Sequence, residues 1–364
     1  MKIGIIGLGR RMSNLLNNVL YSVAPEAEIV GLIDPDPEAK SKLRPEDQAR
    51  VKLFNSVDDL VCGAKPDALF LATQCDTHTP LAIQIAKYDI PLFLEKPVAI
   101  NMEQAVALEK GFEKSRCPVL VSFPLRVSRL CERVKQLIVQ GTVGRVEHVT
   151  ATNYVSYGNV YFDTWHRNYP VTQGLFLQKA THDFDYLIHL VGAPIVRVAA
   201  MSSLGRVYRD KKTLVGAPDP YSNYLEQIGT PEEGMNEDSS SALIEFANGA
   251  KGVYTQIFFS KRHDRRGAII SGHRGMIDFD WYKDRIDCVH HQQPFNDSFI
   301  VNEANGHFGG DLILLQNFLA MVRDRKVASL APIQTGLESV YACLAAKESA
   351  ETGRFLNVRQ VGQC

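Results

Sequence analysis

From Lys2 to Ile6 the chain is a short, largely β-branched apolar run. Gly7-Leu8-Gly9 follows at once, and Leu15, Leu16, Val19 and Leu20 then recur at helical spacing. A strand, a tight turn and a helix are predicted in that order. Further apolar runs at Glu28 to Ile33, Val51 to Phe54, Ala68 to Ala72, Pro91 to Leu94 and Val119 to Phe123 are separated by amphipathic stretches such as Leu81 to Tyr88 and Met102 to Phe112. Strands alternating with helices predict an α/β fold built on a doubly wound parallel sheet.

After Phe123 the pattern changes. Arg145 to Val155, Ser241 to Phe246, Ala250 to Phe258 and Ala268 to Phe279 read as strands, and Asn248-Gly249 between two of them is a hairpin signal. These runs predict a second, α+β domain with an open, mostly antiparallel sheet and helices on one face. The domains are expected to span 1–123 and 124–364. An apolar sheet face of that extent is rarely left bare, so a second copy of the chain is expected to cover it, as a homodimer or homotetramer. Asp210 to Asp238, rich in Gly, Pro and charge, reads as a long loop, a lid or a subunit arm.

Composition narrows the partners. The 364 residues carry 40 Lys plus Arg against 41 Asp plus Glu, a formal net charge of -1, which provides no field for gripping nucleic acid. No apolar stretch reaches the roughly 20 residues of a membrane helix, and the first strand begins at Lys2, so a cytoplasmic protein is expected. Cysteines at 62, 75, 117, 131, 288, 343 and 364 are odd in number and scattered; reduced thiols are expected. His290-His291 lacks spaced metal-ligand partners and reads as an exposed loop pair, and no metal site is expected.

The glycine turn brings in chemistry. One glycine there supplies an unusual backbone angle and another lets the chain approach a pyrophosphate docked on the helix N-terminal amides. Met12 occupies the third small position of the full G-x-G-x-x-G/A pattern. Asp34, at the end of the second predicted strand, stands where an acidic residue meets the adenosine ribose. That makes the sheet a Rossmann dinucleotide-binding domain. Asp34 would repel a 2′-phosphate, and Pro35-Asp36-Pro37 offers no cation to bind one, so the expected cofactor is NAD rather than NADP. The alternative is that Asp34 caps the turn formed by Pro35 and Asp36. Ligands of such sheets sit beyond the strands' carboxyl ends. The cofactor candidates are therefore Gly7, Gly9, Arg10, Arg11, Asp34, Thr73, Gln74, His78, Glu95 and Lys96.

Taken together, Gly7-Leu8-Gly9, Thr73-Gln74 with His78, Glu95-Lys96-Pro97, Arg126, Gly141 to Arg145, Gly174 through His182 to Asp185, and Gly309-Gly310-Asp311 resemble the glucose-fructose oxidoreductase / inositol dehydrogenase / rhizopine catabolism (Gfo/Idh/MocA) family. The resemblance covers nearly the whole chain, including the closing helix around Leu337 to Gly353. It implies hydride transfer between a nicotinamide and a secondary alcohol of a sugar, cyclitol or sugar acid, with Lys96 beside the nicotinamide and His182 as acid/base. Lysine near a cationic ring loses proton affinity, and histidine exchanges protons near neutral pH. Lys96 and His182 lie in different predicted domains.

One departure changes the expectation. The family pattern places an Asp four residues before the histidine and a Gly between them, where this chain has Gln178 and Ala180. If a helix runs from Gln178 to Leu190, then Gln178, His182 and Asp185 share one face, with Lys179 beside His182 and Asp183. Lys179 is then a third catalytic candidate, suited to an acidic substrate; alternatively it only pairs with Asp183. Arg126, Trp165, His166, Gln178 and Asp185 are the substrate-binding candidates. Two other functions stay open: an NAD-dependent glycosidase that oxidises transiently and eliminates, and a non-catalytic nucleotide-binding regulator.

Overall fold

The computed structural model describes residues 1–208, 235–302 and 306–363. The chain divides into two compact units, Met1–Val127 with Asn305–Leu337, and Ser128–Ala304 with Glu338–Cys364. The first is therefore discontinuous, where the sequence pattern predicts a single boundary after residue 123.

The first unit holds strands β1 (Lys2–Ile6), β2 (Glu28–Ile33), β3 (Lys52–Leu53), β4 (Ala68–Leu71), β5 (Leu92–Leu94) and β6 (Val119–Val121). They form one parallel sheet ordered β3-β2-β1-β4-β5-β6. β4, β5 and β6 are buried at every position, as strands with helices on both faces must be. The expected helix near Leu81 spans Cys75–Ile85, and Met102–Phe112 is as predicted. The returning segment belongs here because helix Gly310–Arg323 sets Phe318 edge-on against Phe70 and Phe93, which stack on each other at 5.1 Å. Gly310 also lies so close to Pro124 that an added Cβ would stand 1.9 Å from its carbonyl oxygen.

The second unit carries β7 (Val146–Tyr154), β8 (Ile195–Leu204), β9 (Glu237–Phe246), β10 (Lys251–Ile257), β11 (Arg265–Gly272), β12 (Gly275–Asp280), β13 (Arg285–His290), β14 (Asn296–Ile300) and β15 (Leu356–Asn357). Their order is β14-β13-β12-β11-β7-β10-β9-β8-β15, antiparallel throughout except where β7 and β10 run parallel. Asn248-Gly249 turns the β9–β10 hairpin with Gly249 at φ +90°. Burial alternates along β10 and along β9 from Asp238 onward, which marks one packed face. The opposite face carries Met201 and Leu243 exposed among Ser241, Thr150 and Thr255, so it mixes apolar and hydroxyl side chains where a wholly apolar face was expected.

Two further expectations change. Of the loop predicted over Asp210 to Asp238, residues 209–234 lie outside the described residues, while Glu237 and Asp238 already belong to β9. His290 ends β13 and bonds Asp297 of the pairing strand β14 through Nε2 at 2.8 Å, so it is not half of an exposed loop pair. The strand was hidden because Arg285 to His290 alternates polar and apolar residues too weakly to register. The six described cysteines carry thiols rather than disulfides, and no helix among the described residues is long and apolar enough to cross a membrane.

Candidate active site

Gly7 closes β1 at φ +85°, and a Cβ there would stand 2.7 Å from backbone atoms of Ala72 and Thr73 beyond β4. Only glycine fits that angle and approach. The chain is then helical from Arg10 to Val23, with a widened π turn at Leu16–Leu20 and Met12 fully buried. Gly9 caps this helix, and a Cβ added to it would meet nothing within 4 Å, which leaves open space in front of the first amides. A pyrophosphate suits that space and those donors.

Asp34 follows β2 directly. Its Oδ2 accepts the Leu8 N–H at 2.6 Å and its Oδ1 the Asp36 N–H at 2.9 Å, so the carboxylate both caps its own turn and grips the glycine turn. Lys42, which the pattern reading overlooked, donates from Nζ to the Leu8 carbonyl at 3.2 Å. The residues around the turn fit NAD: a glycine cradle, a free helix start and an acidic side chain beside them.

At the neighbouring strand ends the polar groups are locked together. Arg11 donates from Nε to Glu95 Oε1 at 2.8 Å and forks onto both Asp311 oxygens at 2.8 and 2.6 Å, with Ser122 Oγ at 3.2 Å. His307 Nδ1 lies 2.9 Å from Asp311 Oδ2. Burial would raise the Asp311 pKa, but Arg11 foremost and His307 hold it well below the usual carboxylate range. Arg11 is thus committed to fixing Glu95, the residue that carries half-buried Lys96 next to it. His78 is buried between two backbone oxygens, Pro97 at 2.8 Å from Nδ1 and Thr73 at 3.0 Å from Nε2, and burial pushes its pKa down. Thr73 and Gln74 open the helix after β4, Thr73 partly exposed and Gln74 exposed, and Arg10 is exposed as well. Asp311, of the Gly309-Gly310-Asp311 motif, lies 300 residues from Arg11, and no local spacing points to its partner His307.

In the second unit, helix Thr181–Val191 is entered through a π turn at Phe176–Ala180, which replaces the simple helix start predicted at Gln178. Asp183 anchors it. One oxygen accepts Asn153 Nδ2 at 2.8 Å and the Tyr254 hydroxyl at 2.7 Å; the other accepts Arg266 Nε at 2.9 Å, with Nη2 of the same guanidinium in ion-pair contact at 2.8 Å. Asn153, Gln256 and Ser240 are cross-strand neighbours, and Arg266 pairs with Asn153 on the other side, so one buried polar row crosses four strands beneath the helix.

Lys179 makes no pair with Asp183. Only 5% exposed, it donates to the Tyr157 hydroxyl at 3.0 Å and sits 5.1 and 5.5 Å from the Tyr157 and Tyr161 ring centres. Gln178 is turned away, its amide donating to the Thr172 carbonyl at 3.2 Å. His182 and Asp185 are both buried in this helix. Trp165 stacks on His166 at 4.1 Å, and His166 Nδ1 lies 2.8 Å from Thr164 Oγ1. Arg126 belongs to the short helix Pro124–Val127, at the end of the first unit's leading segment.

Residues 1–123 match the model of the oxidoreductase family with an NAD-binding Rossmann fold, and residues 131–278 match the Gfo/Idh/MocA C-terminal domain. The chain belongs to the Gfo/Idh/MocA family. Among relatives of this family, the protein YteT of Bacillus subtilis is 25% identical over 91% of each chain. Myo-inositol 2-dehydrogenase of Thermotoga maritima is 25% identical over 70% of this chain and 67% of its own. The fold is shared with a levoglucosan dehydrogenase solved with NADH and L-sorbose, at TM-score 0.81 and 18% identity with both chains covered completely. As the family assignment implies, the first unit is an NAD-binding domain and the protein an oxidoreductase.

Proposed function

We propose that this Gfo/Idh/MocA oxidoreductase transfers a hydride between NAD and a secondary alcohol or ketone of a sugar, cyclitol or sugar acid. The observation that carries the reading is the grouping at one sheet edge: the Gly7–Gly9 turn with Asp34, and Glu95 pinned by Arg11 with Lys96 next in the chain. Bound NAD supplies the hydride acceptor. The chain's own residues do the rest. Lys96 orients the substrate oxygen, and His182, on the helix that Asp183 anchors, hydrogen-bonds that oxygen as the alcohol proton leaves. Relatives named for inositol and levoglucosan favour a polyol substrate.

Incubation of the pure protein with NAD and a panel of cyclitols, sugars and aryl glycosides tests the reading. Net NADH from a polyol is the expected result. Release of the aglycone without NADH would instead indicate a glycosidase, and inertness to the whole panel a regulator. The exposed Met201 and Leu243 also favour a homodimer or tetramer joined through the second sheet, and light scattering at micromolar concentration is expected to give at least twice the 40.6 kDa chain mass.

A further inference from the structure

Lys179 is a nearly buried ammonium with no carboxylate in ion-pair reach among the described residues; its polar contact is a phenol. A buried cation of that kind is costly unless something anionic faces it. The phenol in question, Tyr157, keeps 45% of its surface exposed, so it faces the ammonium on one side and solvent on another. The Tyr161 ring lies 6.5 Å from that of Tyr157, and Arg266 adds positive charge nearby. The position is held by the backbone: Gly158 lies so close to Phe258 that an added Cβ would stand 1.8 Å from the Phe258 carbonyl oxygen. An ammonium donating to a phenolic oxygen favours that oxygen's anion.

We propose that Tyr157 is a further catalytic residue of this enzyme, a phenol that exchanges a proton with the substrate hydroxyl, and that Lys179 is the positioning residue which makes its anion accessible. The inference rests on the dehydrogenase reading above. In oxidation, the substrate C–H electron pair leaves as hydride to the oxidised nicotinamide, the hydroxyl O–H bond breaks, and its proton forms a new O–H bond on the Tyr157 phenolate. The carbon is oxidised to a carbonyl, and the reverse step returns the proton from the phenol. Gln178, an amide bonded to a backbone carbonyl, has no proton to exchange and does not compete for this role.

Lys179 foremost, opposed by burial and aided by Arg266 and Tyr282, lowers the Tyr157 pKa to about 8. In the same cluster burial pushes Tyr161 and Tyr282 upward. Tyr157 should therefore ionise ahead of Tyr161 and Tyr282 beside it.

The experiment has two readouts on the whole protein. Near-ultraviolet absorbance is titrated in wild type, Tyr157→Phe, Lys179→Met and Lys179→Arg, without substrate. The pH dependence of kcat/KM for polyol oxidation is then measured with the most active polyol of the panel. A single early tyrosinate step is expected in wild type, absent in Tyr157→Phe, moved upward in Lys179→Met and partly restored in Lys179→Arg. Oxidation should rise through the same pH as the phenolate forms, and Tyr157→Phe should lower kcat on the order of a hundredfold while leaving NADH binding intact. Absence of the early step, or unchanged kcat and pH profile in Tyr157→Phe, overturns the proposal. A wild type that yields no NADH yet shows the Lys179-dependent step strikes the dehydrogenase reading and not the ionisation of the pair.

Discussion

Asp183 and Arg266 form an ion pair in which both side chains are almost wholly removed from solvent, 0% and 4% exposed. The pair joins the helix carrying His182 to the middle of the second unit's sheet. Burying two charges together gains little over an apolar pair, but removing one partner strands the other. Asp183→Ala is expected to cost about 3–5 kcal/mol, read as a lower unfolding temperature of the second unit, and the double variant Asp183→Leu/Arg266→Met to cost much less. A mild effect of the single variant would show that the row beneath the helix does not depend on this charge.

For the chemistry, Lys96→Met and His182→Ala are each expected to lower turnover on the order of a hundredfold while leaving NAD affinity and thermal stability near wild type. Steady-state kinetics with parallel calorimetry checks this. Near-normal kcat on the true substrate in both variants would remove these two residues from the reaction.

Cofactor choice is expected to turn on Asp34. Replacement by Ser removes a carboxylate that holds the Leu8 amide and leaves the Lys42 ammonium on the same turn. NAD affinity is expected to fall by about 1.5–3 kcal/mol, the worth of hydrogen bonds to a charged group, while NADP affinity rises. Calorimetry in which wild type already binds NADP as tightly as NAD would defeat the argument.

Acid should loosen the first unit through Asp311. Its folded pKa is depressed, so its stabilising contribution is complete above the ordinary carboxylate range of about 3.9 and is lost as pH falls toward the folded value. Asp311→Asn is expected to be less stable at neutral pH and to show a flatter loss of stability below about pH 4. Parallel wild-type and variant curves in that window would show that Arg11 and His307 do not depend on the charge.

Much of this was legible in order along the chain. The Gly7 turn after β1 declares itself because strand period and turn chemistry agree, and the Asn248-Gly249 hairpin does so for the same reason. What stayed hidden was long-range. Asp311 was legible as part of Gly309-Gly310-Asp311 but its grip on Arg11 was not, nor was His307, and the Lys179–Tyr157 contact spans 22 residues of short helical pieces too brief for a periodicity to read. The π turn at Phe176–Ala180 also removes the simple i, i+4 geometry on which pairing of Lys179 with Asp183 depended. Strands such as β13 and β14, polar on one side and short, carry too little pattern of their own.

The Arg11–Asp311 fork joins residues 300 positions apart within one unit. At translation speeds of roughly 5–20 residues per second, Asp311 leaves the ribosome roughly 15–60 s after Arg11. During that interval the nascent nucleotide-binding sheet lacks the helix that sets Phe318 against Phe70 and Phe93, and an aromatic patch waits for its cover. The unit begun first is left incomplete until its returning segment is made, so a chain arrested during synthesis of Ser128–Ala304 would present that uncovered patch to chaperones.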